Sequence, residues 1–115
     1  MAYFKFENLD VWKRSMNWAN QVFDLAQSLP IEYRYSLADQ LRRASLSVPT
    51  NIAEGTGRDG VKERKYFFRV AKGSVYEVVS LLVMVRMRDL LSEERYNDLY
   101  QEANQLSAML SAMAR

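Results

Sequence analysis

A chain of 115 residues makes one domain, and at that length it buries roughly two-thirds of the surface its unfolded form exposes, enough for a core without staples. It has no cysteine and no histidine, which excludes a disulfide framework, a thiol nucleophile, most zinc and iron sites and the commonest general base. Sixteen Lys plus Arg against fourteen Asp plus Glu leave a net charge of +2, which places the chain in no strongly acidic or basic class.

The charge is unevenly spread. From Arg58 to Lys72 there are six basic and two acidic residues, net +4; from Asp89 to Glu102 there are five acidic and one basic, net −4. A surface segregated in this way can bind an acidic polymer or another copy of itself. The opening MAYFKFENLD has no apolar run flanked by basic residues, and the longest apolar block, VVSLLVMV at 78–85, is too short to span a bilayer. The expectation is a soluble cytoplasmic protein with no membrane partner.

Proline occurs only at 30 and 49 and glycine only at 55, 57, 60 and 73, so long stretches lack breakers and helix is the expected state. Phe4 and Phe6 alternate in an extended arm that reads as a lid over one end of the fold. The first helix is predicted over about 8–28, with Asn8 as its cap and Asp10 in its first turn. Val11, Ala19, Val22, Ala26 and Leu29 share one face of it. The second is predicted over about 32–56, with Ser36 and Asp39 as a capping-box-like pair. Its apolar stripe, Leu37, Leu41, Ala44, Val48 and Ile52, keeps helical phase through Pro49, which favours one kinked helix over two. The third is predicted over about 60–89. Its first half is amphipathic, and its second half is apolar nearly all round. The fourth, over about 92–114, has Glu93 and Glu94 in its first turn and a stripe of Tyr96, Leu99, Ala103, Leu106, Leu110 and Met113.

Four such helices joined by short loops predict an all-α, antiparallel up-down-up-down four-helix bundle. A lone bundle leaves every helix an outer face, so the all-round apolar 75–85 segment predicts contact with another subunit.

Three constellations carry chemistry. Gly55, Gly57 and Gly60 spell G-x-G-x-x-G, but a helix precedes them, whereas the dinucleotide fingerprint needs a strand there. The simpler expectation is that Gly55 or Gly57 ends the second helix in a left-handed conformation and Gly60 opens the third. Lys62, Lys65, Arg69 and Lys72 fall within an arc of about 80° on the third helix, with Arg58 extending the ridge at its head. Cations in line can track a phosphate backbone, so RNA or DNA is the expected partner, against pairing with the acidic 89–102 segment of a neighbour. Phe67 and Phe68 point away from the stripe and read as core. Finally, Gln40, Arg43, Ser47, Asn51 and Glu54 form a polar column beside the apolar stripe of the second helix. An Arg43–Glu54 pairing, within the chain or across to a neighbour, is consistent with a structural or interface role. One carboxylate with no histidine and no activated nucleophile makes no acid–base constellation, so no enzyme and no cofactor are expected.

Residues 37–58, LADQLRRASLSVPTNIAEGTGR, and 67–78, FFRVAKGSVYEV, resemble the 23S rRNA intervening-sequence protein family. The resemblance rests on Gln40, Arg43 and Ala44, then Ser47, Pro49, Asn51, Ile52, Ala53, Glu54 and Gly55, then Ala71, Gly73, Ser74 and Glu77. It implies a four-helix bundle assembled as a homopentamer, with no established enzymatic activity. It also implies a distant kinship with retroelement accessory proteins that bind nucleic acid and a reverse transcriptase. The polar column falls on the family motif, which adds Ser74 and Glu77 to the interface or structural candidates.

Overall fold

The computed structural model describes residues 3–115. It is all-helical among those residues, with α1 at Asp10–Ser28, α2 at Leu37–Thr56, α3 at Val61–Met87 and α4 at Glu93–Met113, packed as a four-helix bundle measuring 44 × 24 × 24 Å. No helix is long and apolar enough to cross a membrane among the described residues.

The arm before α1 is not extended. Lys5–Asn8 forms a short 3-10 helix, so Asn8 ends that turn and Leu9 takes the position before α1, with no side-chain cap. The turn closes because the Glu7 carboxylate accepts the Phe4 N–H at 3.2 Å while Phe6 packs on Trp12, ring centroids 4.9 Å apart and tilted by 57°. Within α1, Val11, Ser15, Trp18, Val22 and Leu25 are buried at helical spacing. Trp18 is fully buried and its Nε1–H donates to the Leu99 carbonyl of α4 at 3.1 Å, so a large apolar ring enters the core with its one polar atom satisfied.

Leu29 and Pro30 stop α1, and a 3-10 turn at Ile31–Tyr33 replaces the earlier turn of α2 expected from Glu32. The Ser36–Asp39 capping box does not form, because the Ser36 hydroxyl turns back to the Tyr33 carbonyl at 3.4 Å. α2 then runs as one helix through Pro49. Proline removes the N–H that would serve the Ser45 carbonyl. Short polar side chains crowd this turn: Thr50 donates to the Leu46 carbonyl and Asn51 to the Ser47 carbonyl, both at 2.8 Å.

The glycines differ from expectation. None has positive φ; Gly57 closes α2 in right-handed geometry, and Gly55 lies inside it. Gly55 is required by proximity. A Cβ there would sit 2.8 Å from the Phe68 ring and 3.2 Å from the Arg64 carbonyl, so its bare backbone lets α2 and α3 close on each other. The left-handed residue is Asp89, at φ 59°, which ends α3 in a six-to-one and five-to-two hydrogen-bond pair: Leu90 N–H to Val85 and Asp89 N–H to Arg86. Ser92 caps α4 by accepting the Arg95 N–H at 3.1 Å.

Contacts between adjacent helices run in opposite sequence order. Ser47 meets Ser74 while Gly55 meets Phe68; Arg14 meets Glu102 while Trp18 meets Leu99; Arg69 meets Ala114 while Arg86 meets Glu93. The core they enclose is built from Val22, Leu25, Leu41, Val48, Ile52, Val78, Leu82, Leu106 and Leu110, all at zero exposure.

Candidate functional site

Four of the chain's arginines are held in ion pairs. Arg14 pairs with Glu102 at 2.6 Å, Arg43 with Asp39 at 3.2 Å, Arg58 with Glu54 at 3.2 Å and Arg86 with Glu93 at 3.4 Å. Among the described residues, none of these ion pairs takes up Lys62, Lys65, Arg69 or Lys72. Those four line one side of the first half of α3. Lys62 and Arg69 are exposed, while Lys65 and Lys72 lay half-buried stems along the surface. Arg69 donates to the Ala114 carbonyl at 3.3 Å, and the Lys72 ammonium lies 5.8 Å from the Tyr76 ring, so the stripe borders the C-terminal end of α4.

Arg58 does not head this stripe. Its guanidinium lies over the Phe67 ring at 4.8 Å and pairs with Glu54, on the side of α3 that the helical period puts opposite the lysines. The loop turns it that way because Phe67 offers a ring face and Glu54 a carboxylate one turn back. Arg64, which sequence spacing left outside the stripe, organises the same loop by donating to the Arg58 carbonyl at 3.0 Å and the Asp59 carbonyl at 2.7 Å. Its only sequence signal is a guanidinium one turn into a helix that follows a glycine-rich loop. Phe68 is buried in the core, and Phe67 is half-buried beneath Arg58.

The polar column lies along the seam between α2 and α3. The Ser47 hydroxyl shares a 2.8 Å hydrogen bond with Ser74 of α3 and accepts from Asn51 Nδ2 at 2.9 Å. This joins two residues picked out by spacing to one picked out by motif. Gln40, Arg43, Glu54 and Glu77 are exposed. Arg43 and Glu54 do not pair with each other: they sit eleven positions apart on one helix, about 16 Å along its axis, and each has an opposite charge one turn away.

Beyond Lys72 the outer surface of α3 becomes mainly apolar, with Glu77 and Ser80 exposed among the apolar side chains. Tyr76, Val83, Met84 and Met87 are between 41% and 71% exposed. Tyr76 and Tyr100 flank a groove of about 210 Å³ floored by Ala103, Asn104 and Ser107 of α4. Gly73, at the junction of the basic and apolar halves, has nothing within 4 Å of where a Cβ would be. Two arginines off this surface are held in their charged form above the ordinary range: Arg14 first by its hydrogen bond to Glu102, Arg88 first by its hydrogen bond to the Tyr33 phenol.

Compared with known proteins, the sequence profile described as 23S rRNA-intervening sequence protein matches residues 7–112. The crystal structure of a protein of unknown function from the S23 ribosomal protein family of Bacteroides thetaiotaomicron superposes with a TM-score of 0.85 at 17% identity, over 91% of this chain and 98% of that one. At that identity the likeness is one of fold. No curated protein matches the chain.

Proposed function

The chain belongs to the 23S rRNA-intervening sequence protein family, and on that premise we propose that it is a non-enzymatic, self-associating bundle that binds RNA or DNA through Lys62, Lys65, Arg69 and Lys72. The observation that carries this is the contrast in how the cations are used. Arg14, Arg43, Arg58 and Arg86 each pair with a carboxylate of the same chain, whereas these four stand in line on one helix without such a pair. Cations held in a row and left uncompensated are what a phosphate backbone displaces its counterions to meet. The absence of histidine and cysteine supports a binding role over a catalytic one.

Self-association is supported by the apolar outer half of α3 and by Gly73. A mid-helix glycine costs about 1 kcal/mol against alanine, and nothing in this chain approaches Gly73 closely enough to require one. Five copies is the number the family resemblance implies.

Gel-shift titration with structured RNA and with duplex DNA, repeated across salt, tests the reading. Four phosphate contacts give a slope of log K against log salt of about −3 to −4 on a duplex. Changing Lys65, Arg69 and Lys72 together to Glu abolishes the shift and leaves the oligomer intact. Unchanged binding, or none by the wild type at low salt, overturns it. Light scattering at micromolar concentration is expected to give about five times the 13.4 kDa of one chain; a single-chain mass overturns the self-association. A second reading, a protein scaffold in which the stripe pairs with a neighbour's acidic segment, draws on the exposed Glu94 and Asp98 of α4. It predicts that the same charge reversals break the oligomer.

A further inference from the structure

The N-terminal arm carries more aromatic surface than closing the core requires. Phe6 does the closing: it is half-buried and packs on Trp12. Phe4 stacks on Phe6 at 5.9 Å with the rings 26° apart, yet it is 66% exposed, and Tyr3 beside it is 85% exposed. Phe4 is not a loose end. Its N–H is held by the Glu7 carboxylate at 3.2 Å, and its carbonyl accepts the Glu7 N–H at 3.1 Å. A ring fixed at its backbone and left in water forgoes the burial that makes aromatic residues stabilising.

The rings face a groove of about 800 Å³ between the arm and the loop that joins α2 to α3. Three cations line it, Lys5, Arg58 and Arg64, against one carboxylate, Asp59. Both guanidinium groups are already positioned, Arg58 by Glu54 and the Phe67 ring and Arg64 by two loop carbonyls. Arg64 is anchored to those carbonyls through Nη1 alone, so its other N–H groups remain as donors. A stack of aromatic faces beside fixed cations is the arrangement that takes an unpaired base on the ring and its phosphate on the guanidinium. A purely apolar partner would desolvate Lys5 and Arg64, which have no carboxylate partner in the ion pairs of the described residues.

We infer that this groove is a second nucleic-acid site, specific for unpaired nucleotides, with Phe4 as the stacking platform and Arg58 and Arg64 as the phosphate contacts. It rests on the nucleic-acid reading above and adds the strand state: the α3 stripe takes backbone of either form, and the arm takes single strands. The stripe and the groove flank the same end of the bundle, because the α2–α3 loop runs from Arg58 at the groove to Lys62 at the head of the stripe.

The test is fluorescence anisotropy with a short labelled single-stranded RNA and with the same strand annealed to its complement. Phe4→Ala is expected to weaken single-strand binding by about fivefold or more, with duplex affinity within twofold of wild type and the melting temperature kept. Phe4→Trp restores single-strand binding. Tyr3→Ala, further out on the arm and away from the core, moves single-strand affinity in the same direction and repeats the test should Phe4→Ala lower the melting temperature. Equal losses on both forms, no loss on either, or no rescue by tryptophan overturns the inference. Loss of both forms in the Lys65, Arg69, Lys72 reversal with no effect of Phe4→Ala overturns the arm and leaves the stripe; the opposite pattern overturns the stripe and leaves the arm. A wild type that binds neither form overturns both.

Discussion

Asp89 is the one described residue other than glycine with positive φ, at 59°, and it ends α3 where a glycine is the usual choice. Left-handed backbone costs a side chain about 1–2 kcal/mol, less for Asp, whose carboxylate can bond locally. The following Leu90 is partly buried against the core, so the backbone has to turn here whatever residue stands at the corner. Asp89→Gly is therefore expected to stabilise the chain by about 0.5–1 kcal/mol, seen as a rise of a few degrees in the calorimetric melting temperature. A fall would mean that the carboxylate makes a contact worth more than the strain. Arg14 illustrates the opposite economy. Its Nε and Nη2 donate to the two oxygens of Glu102 at 3.0 and 2.6 Å, a fork that ties α1 to α4. Because the folded state raises the pKa of Arg14, its contribution is present through the whole neutral range and is lost only as strongly alkaline pH passes the folded value.

Two glycines in neighbouring helices have opposite reasons to be there. In α2, Gly55 lets the Phe68 ring and the α3 backbone approach, and Gly55→Ala gains helix propensity but forces a buried ring and a carbonyl to move. The net expectation is a loss of about 1 kcal/mol in urea unfolding. In α3, Gly73 has open space around it, and Gly73→Ala stabilises the single chain by about 1 kcal/mol. If a second copy packs there, as proposed, the same change lowers the oligomer fraction in light scattering. A stabilised chain with unchanged assembly would remove Gly73 from the interface. These element-level features show what sequence patterns carry. The helices are legible because Leu41, Ala44, Val48 and Ile52 repeat at the helical period on either side of Pro49, and all four are buried. Helix ends are less so. Ser36 has the right residue type for a cap, but a 3-10 turn upstream offers its hydroxyl another acceptor. The α3 stripe is legible from spacing on one helix. Arg58 is not, because a loop's direction depends on what it meets, here Phe67 and Glu54. The Ser47–Ser74 bond needs the register of α2 on α3, which no single helix encodes. The exposed, ordered Phe4 was legible only as a lid, since alternation along a strand does not say which ring is left over.

At the scale of the whole bundle, the two charged segments do not neutralise each other. Arg69 reaches Ala114 at one end of the α3–α4 pair, and Arg86 reaches Glu93 at the other. From Lys62 to Arg86 along α3 is about 36 Å at the helical rise, most of the 44 Å long axis. The net charge of +2 thus hides a net +4 over Arg58–Lys72 and a net −4 over Asp89–Glu102, set far apart on a rod. A rod with poles has a preferred attitude in a field. Near a polyanion the basic pole is drawn in, so collisions are pre-sorted toward the end bearing both the stripe and the aromatic arm. The torque acts over roughly a Debye length, about 8 Å at physiological ionic strength, so salt slows capture by disorienting the arriving molecule as well as by weakening the bonds it makes on arrival.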